Sequence, residues 1–268
     1  MLAHVQVGRL LSWYVPAAGG AAGAVVLATG LVLALTGRFG EHLGPAAVST
    51  SAPRVAHDVG LRIVAIGDSI TAGTGDGQTG GYPARLAELL RQRGRSPTVV
   101  NLAVPGAETG DVLRRIESEP EVRAELARAD VIVASAGGND LTHSLRPPAD
   151  RPVSEPAASA AGAATNLTAL ARRLRGLNPT APVRFIGLYN PFELLPAEEV
   201  DARATLRQWN DLIERATYGV HDVIVVPVAD LFYDRPDRLA ADRFHPGSKG
   251  HAVIAERVLQ TLLEPDGR

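Results

Sequence analysis

Cysteine is missing from all 268 residues. Its absence excludes a thiol nucleophile, a zinc-thiolate centre and any disulfide. Lysine is nearly missing as well: Lys249 is the only one, which leaves Schiff-base or lysine-base chemistry a single weak candidate. Aromatic residues make up 4% of the chain, too few for an evident sugar-stacking platform. Net charge is also scarce. The formal value of −2 gives neither the basic footprint of a nucleic-acid binder nor a polyacidic tail, so nucleic acid is not expected as a partner.

Charge is absent altogether between Arg9 and Arg38. Within that stretch, about residues 15–36 form an Ala/Gly/Val/Leu run of the length that spans a bilayer. Trp13 and Tyr14 stand just before it, where amphipathic rings favour the headgroup layer, and Thr36, Gly37 and Arg38 close the other end. Residues 1–39 are therefore expected to carry one transmembrane helix that anchors the chain, with the following domain on the extracytoplasmic side. Secretion after signal cleavage, with Ala46 and Ala47 as small residues near a cut, and a hydrophobic helix buried within the soluble fold are the alternatives. Residues 40–60, mostly Pro, Ser, Ala and Gly without a sustained period, suit a linker.

From 61 to 264 the pattern changes. Apolar runs of strand length (Leu61–Ile66, Thr98–Leu102, Val131–Ser135, Val183–Leu188 and Val223–Val228) alternate with segments of helical period. One helix is expected from near Pro83 to Gly94, with Leu86, Leu89 and Leu90 on one face. Others are expected over Pro196–Thr217 and Ser248–Leu263. The alternation predicts an α/β domain with a central parallel sheet covered by helices.

Reactive residues gather where strands should end. Gly67-Asp68-Ser69 follows the first run, at the carboxyl end where parallel sheets bind ligands. A serine there can be held at a helix start with its own N–H toward a developing oxyanion; alone, it reads equally as a helix cap. Near the end of the chain Asp242-Arg243-Phe244-His245-Pro246 puts an acid and an imidazole three residues apart. A serine hydroxyl needs a base, and the base needs an orienting carboxylate; His245 and Asp242 are of the right types. An ordinary surface turn, or a metal site with His251, are the other readings. His143 follows Asp140 at the same spacing and is a second candidate base, with lining of a cleft as its other role. His251 is expected on a helix surface. Gly106, in Asn101-Leu102-Ala103-Val104-Pro105-Gly106, can offer a backbone N–H to an oxyanion, and Asn139, in Gly137-Gly138-Asn139-Asp140, a side-chain amide. Turn chemistry explains the latter segment too.

Taken in order, Gly67-Asp68-Ser69, Gly106, Gly137-x-Asn139-Asp140 and Asp242-x-x-His245 resemble the four blocks of the SGNH (GDSL-type) hydrolase family over roughly Leu61–Leu263. The resemblance implies a three-layer α/β/α sandwich of the SGNH/flavodoxin-like kind. It also implies a Ser69–His245–Asp242 triad, an oxyanion hole from the N–H groups of Ser69 and Gly106 and the Asn139 side chain, and no cofactor or metal. The expected activity is hydrolysis of a carboxylic ester, from a small molecule or a lipid, through an acyl-enzyme on Ser69, with small or medium acyl chains and a monomeric enzyme. A membrane-tethered acyl- or glycan-binding module without turnover, and an acyltransferase using the same acyl-enzyme, are the alternatives. The α/β-hydrolase elbow fits less well, because Gly67-x-Ser69-x-Thr71 lacks the second glycine. Leu141 to Gly162, rich in Pro, Ala and Ser, is read as a loop that lines or covers the site or simply lies on the surface; Phe192, Leu194 and Leu195 are candidates for an acyl pocket.

Overall fold

The computed structural model describes residues 60–77, 79–145, 156–191 and 202–264. Within them the apolar runs become strands β1 (Leu61–Gly67), β2 (Pro97–Asn101), β3 (Val131–Ser135), β4 (Val183–Ile186) and β5 (Val223–Val226). The helices are α1 (Ser69–Ala72), α2 (Gly81–Arg91), α3 (Thr109–Ser118), α4 (Pro120–Ala127), α5 (Gly138–Leu145), α6 (Pro156–Leu177), α7 (Ala202–Thr217), α8 (Ala229–Phe232) and α9 (Ser248–Leu263). All strand pairs are parallel, in the spatial order β2-β1-β3-β4-β5. The order reverses between β1 and β3, and a crevice at such a switch point is where open α/β sheets bind ligands.

Successive strand residues point to opposite faces, and here both faces are covered. Val64 and Ile66 of β1, with Ile132 and Ala134 of β3, pack against α3, α4, α6 and α7. Ile63 and Ala65, with Val131 and Val133, pack against α2 and α9. This is the expected three-layer sandwich, and burial on both sides explains why the strands read as unbroken apolar runs.

Three strands end sooner than their apolar runs, β2 by the single residue Leu102. β5 stops at Val226, just before Pro227. β4 stops at Ile186, and the backbone of Leu188 is taken by Asn210 of α7 instead: its N–H donates to Asn210 Oδ1 at 2.7 Å and its carbonyl accepts from Asn210 Nδ2 at 3.0 Å. The segment from Leu141 to Gly162 is corrected more substantially. Its first part continues α5 and its last part belongs to the 22-residue α6, leaving residues 146–155 outside the description. The anchor expected at 15–36, the linker and the residues Phe192, Leu194 and Leu195 also lie outside the described residues. Among the described residues no helix is long and apolar enough to cross a membrane.

His251 is not a surface residue. It is 0% exposed, its Nδ1 accepts the Tyr82 N–H at 3.1 Å and its Nε2–H donates to the Thr74 carbonyl at 3.0 Å. The bond accepted by Nδ1 needs the neutral ring, and burial, the largest influence, holds its pKa below the ordinary 6.5. The unfolded chain therefore binds this proton more readily than the folded one. The contribution of His251 to stability is complete above pH 6.5 and declines as pH falls below it, by at most about 1.4 kcal/mol per pH unit for one proton. Melting temperatures from about pH 8 to about pH 5 should fall less steeply for His251→Phe than for the parent. Equal slopes would show that this ring does not titrate with unfolding.

Candidate active site

β1 ends at Gly67 with φ of 139°, where a Cβ would stand 2.1 Å from the Ser135 carbonyl oxygen of β3. Only glycine lets the two strands stay paired to their ends. Asp68 then caps α1, accepting the Ile70 N–H at 3.0 Å, while its own N–H donates to Ser135 O at 3.2 Å. The cap is thus Asp68, and Ser69 is the first helical residue, 7% exposed. Beneath it runs a buried relay. Thr71 donates to Ser135 Oγ at 2.7 Å and Ser135 donates to Asp68 Oδ1 at 2.5 Å. Because each hydroxyl has one proton, Tyr82 must be the donor in its 2.8 Å contact with Thr71 Oγ1. Burial pushes the Asp68 carboxyl up, against the lowering bonds from Ser135 and Ile70.

The second part of the site is a turn between β5 and α9. Leu239 and Pro246 form an isolated antiparallel bridge, and Arg243 adopts φ of 56° between them. Asp242 Oδ1 accepts the N–H groups of both Phe244 and His245 at 3.0 Å, which closes the turn locally. Its other oxygen faces His245 Nδ1 at 2.6 Å. Burial opposes the Asp242 charge, but the bonds from His245 and the two N–H groups hold its carboxyl below the usual range. On the far side of the ring, His245 Nε2 lies 3.0 Å from Ser69 Oγ. Tyr189, after β4, adds a support that the sequence did not suggest: its hydroxyl donates to Phe244 O at 2.6 Å.

The third part is the loop after β2. Gly106 has φ of 82° and open space where a Cβ would be. Among the described residues neither its N–H nor that of Ser69 donates to a protein group. α5 ties this loop down at three points. Asn139 Nδ2 donates to Ala107 O at 2.9 Å, Asp140 accepts the Thr109 N–H at 2.9 Å and hydroxyl at 2.7 Å, and His143 Nδ1 meets Glu108 Oε1 at 2.5 Å. Burial pushes the Asp140 carboxyl up. A shallow groove of about 500 Å³ borders Gly106, with Val104, Ala107 and Arg114 among its walls.

Ser69, His245 and Asp242 therefore meet in one hydrogen-bonded chain, and Asn139 joins the Gly106 loop through Ala107. His143 is engaged with Glu108 rather than with the serine. His251, weighed as a third metal ligand, has both ring nitrogens on backbone groups. Among the described residues no group of three or more His, Cys, Asp or Glu is placed to hold a metal ion.

The profile of the GDSL-like Lipase/Acylhydrolase family matches residues 65–253. The uncharacterized protein YpmR of Bacillus subtilis is 30% identical over 206 residues, covering 75% of this chain and 80% of YpmR. The spore germination lipase LipC of Bacillus licheniformis is 26% identical over 209 residues, covering 74% of this chain and 94% of LipC. Among solved structures, the lipase Lip_vut3 from a goat rumen metagenome superposes with a TM-score of 0.65 at 24% identity, over 75% of this chain and 96% of that one; that likeness concerns the fold. The chain belongs to the GDSL-like lipase/acylhydrolase family and is by that membership an enzyme of the GDSL esterase/lipase type.

Proposed function

We propose that the protein hydrolyses carboxylic esters through an acyl-enzyme on Ser69. The observation that carries this reading is the continuous contact from Ser69 Oγ to His245 Nε2 at 3.0 Å and from His245 Nδ1 to Asp242 Oδ2 at 2.6 Å. In the first step Ser69 Oγ bonds to the ester carbonyl carbon as its proton passes to His245 Nε2. The carbonyl π pair moves to oxygen. The tetrahedral oxyanion takes hydrogen bonds from the Ser69 and Gly106 N–H groups and from the Asn139 amide proton that Ala107 does not use. Collapse breaks the bond to the alkoxy oxygen, which leaves as an alcohol with the proton from His245. Water then attacks the acyl-enzyme, gives a proton to His245, and releases a carboxylic acid as Ser69 recovers its hydroxyl. Asp242 holds the ring and steadies the imidazolium between steps.

Small or medium acyl chains are part of the proposal. The test is hydrolysis of p-nitrophenyl esters of graded chain length by the protein and by Ser69→Ala. Serine-dependent turnover that peaks at short or medium chains supports the proposal. Turnover unaffected by the substitution, or none on any ester by a folded protein, defeats it; acyl transfer to an added alcohol without hydrolysis would move the reading to a transferase.

Asn139→Ala should lower kcat by about 10²- to 10³-fold, the cost of one oxyanion donor, with a much smaller change in KM. Equal kcat in this variant would mean that its amide serves only the Ala107 carbonyl.

A further inference from the structure

The loop between α1 and α2 is tied to Ser69, whose carbonyl accepts the Gly73 and Thr74 N–H groups at 3.1 and 3.0 Å, and it presses on His245 from behind. At Gly75, φ is 93° and a Cβ would lie 2.4 Å from the Pro246 carbonyl oxygen and 3.2 Å from His245 Cβ. The backbone of this loop is therefore the surface against which the His245-Pro246 turn rests. Its neighbours on either side are fastened. Thr74 O accepts from His251 Nε2 at 3.0 Å. Asp76, whose side chain is 0% exposed, accepts from Arg85 Nε at 3.0 Å, Arg85 Nη2 at 2.6 Å and the Gly81 N–H at 3.1 Å. It also accepts from the Thr79 hydroxyl. Burial opposes its charge, but the Arg85 and Thr79 bonds hold the carboxyl below the usual range.

The circuit closes through α9. Arg85 Nη2 also donates to Ser248 Oγ at 2.7 Å, and Ser248 begins the helix that follows the His245 turn and carries His251. Contacts thus run from His245 to Gly75, through Asp76 and Arg85 to Ser248, and back to the turn. His245 itself sits outside any helix or strand, so its ring position depends on such outside supports. A misplacement of about 1 Å in a reacting group costs on the order of 10²-fold in rate.

We propose that Asp76 is a positioning residue, which by clamping the Gly75 peptide through Arg85 sets the place of His245 relative to Ser69. The proposal rests on the reading of Ser69 as nucleophile.

The test uses the full chain and Asp76→Asn, which keeps the volume and removes the charge. Expected is a fall in kcat on an accepted p-nitrophenyl ester of about 10- to 100-fold with KM within about twofold. Labelling of Ser69 by a fluorophosphonate should slow in parallel, and the downfield proton signal of the His245–Asp242 hydrogen bond should move or broaden. Ser248→Ala should act in the same direction with a smaller effect, and Arg85→Lys should retain more activity than Arg85→Ala. Folded Asp76→Asn with the parent's kcat and proton signal overturns the proposal. If Asp76→Asn does not fold, unchanged kcat in folded Arg85→Ala and Ser248→Ala overturns it. A parent protein without turnover or labelling defeats the esterase reading instead, and the proton signal alone then decides: altered in Asp76→Asn it supports the clamp, unaltered it refutes it.

Discussion

Ser69→Ala is expected to lower kcat on an accepted ester by about 10⁶-fold, His245→Ala by a similar factor, and the double variant by no more than either alone. The factor corresponds to about 8 kcal/mol of lost transition-state stabilisation. Non-additivity is the sharper half of the expectation. A hydroxyl at neutral pH is a poor nucleophile until its proton has somewhere to go, and the 3.0 Å contact to His245 Nε2 supplies that acceptor. Once the hydroxyl is gone the imidazole has no proton to take, and once the imidazole is gone the hydroxyl is not activated. What remains in each variant is the proposed set of oxyanion donors, which the substitutions leave in place. Single-turnover kinetics with a chromogenic ester would separate the two: no acyl-enzyme burst in Ser69→Ala, and a slow one in His245→Ala. Additive losses would mean that the two side chains act independently, and the acyl-enzyme cycle would have to be abandoned.

The parts of this site that could be read from the sequence are those that depend on residues close together in the chain. A strand ending in Gly67-Asp68-Ser69 places the hydroxyl at a carboxyl edge whatever the rest of the fold does. Asp242 and His245 bond within a single turn, a three-residue relation that the sequence displays. The supports behind them were not legible, because they join distant segments. Tyr82 and His251 are 169 positions apart, Arg85 and Ser248 are 163 apart, and Tyr189 and Phe244 are 55 apart. His251 reads as exposed in the sequence because its helix position can be assigned locally while the segment packed against it cannot. Asp76 sits among glycines and looks like turn composition, with nothing to mark it as buried. The start of α6 is hidden in the sequence for another reason. Its alanines and Gly162 offer no apolar stripe, although alanine is the strongest helix former; the stripe appears only later, in the buried Leu167, Leu170, Ala171 and Leu174. The layered architecture was legible throughout, since strands buried on both faces cannot hide their apolar runs.

Asp242→Asn should cost about 10⁴-fold in kcat while leaving the site's geometry nearly intact, the effect known for this substitution in serine hydrolases with the same constellation. The carboxylate has two jobs here. Oδ1 accepts the Phe244 and His245 N–H groups, which an amide oxygen can still do. Oδ2 faces His245 Nδ1 at 2.6 Å, and with asparagine that position is an NH₂ group. The amide then donates to Nδ1, which leaves the imidazole proton on Nε2, pointing at Ser69 Oγ. In that tautomer the ring cannot accept the serine proton, and no anion balances an imidazolium if one forms. The loss should therefore fall on kcat, with KM changed little, and on the rate of fluorophosphonate labelling. Asp242→Ala should lose activity to a comparable degree but also lower the melting temperature, because it opens the turn that both backbone N–H groups close. Full activity in a folded Asp242→Asn variant would remove the carboxylate charge from the mechanism.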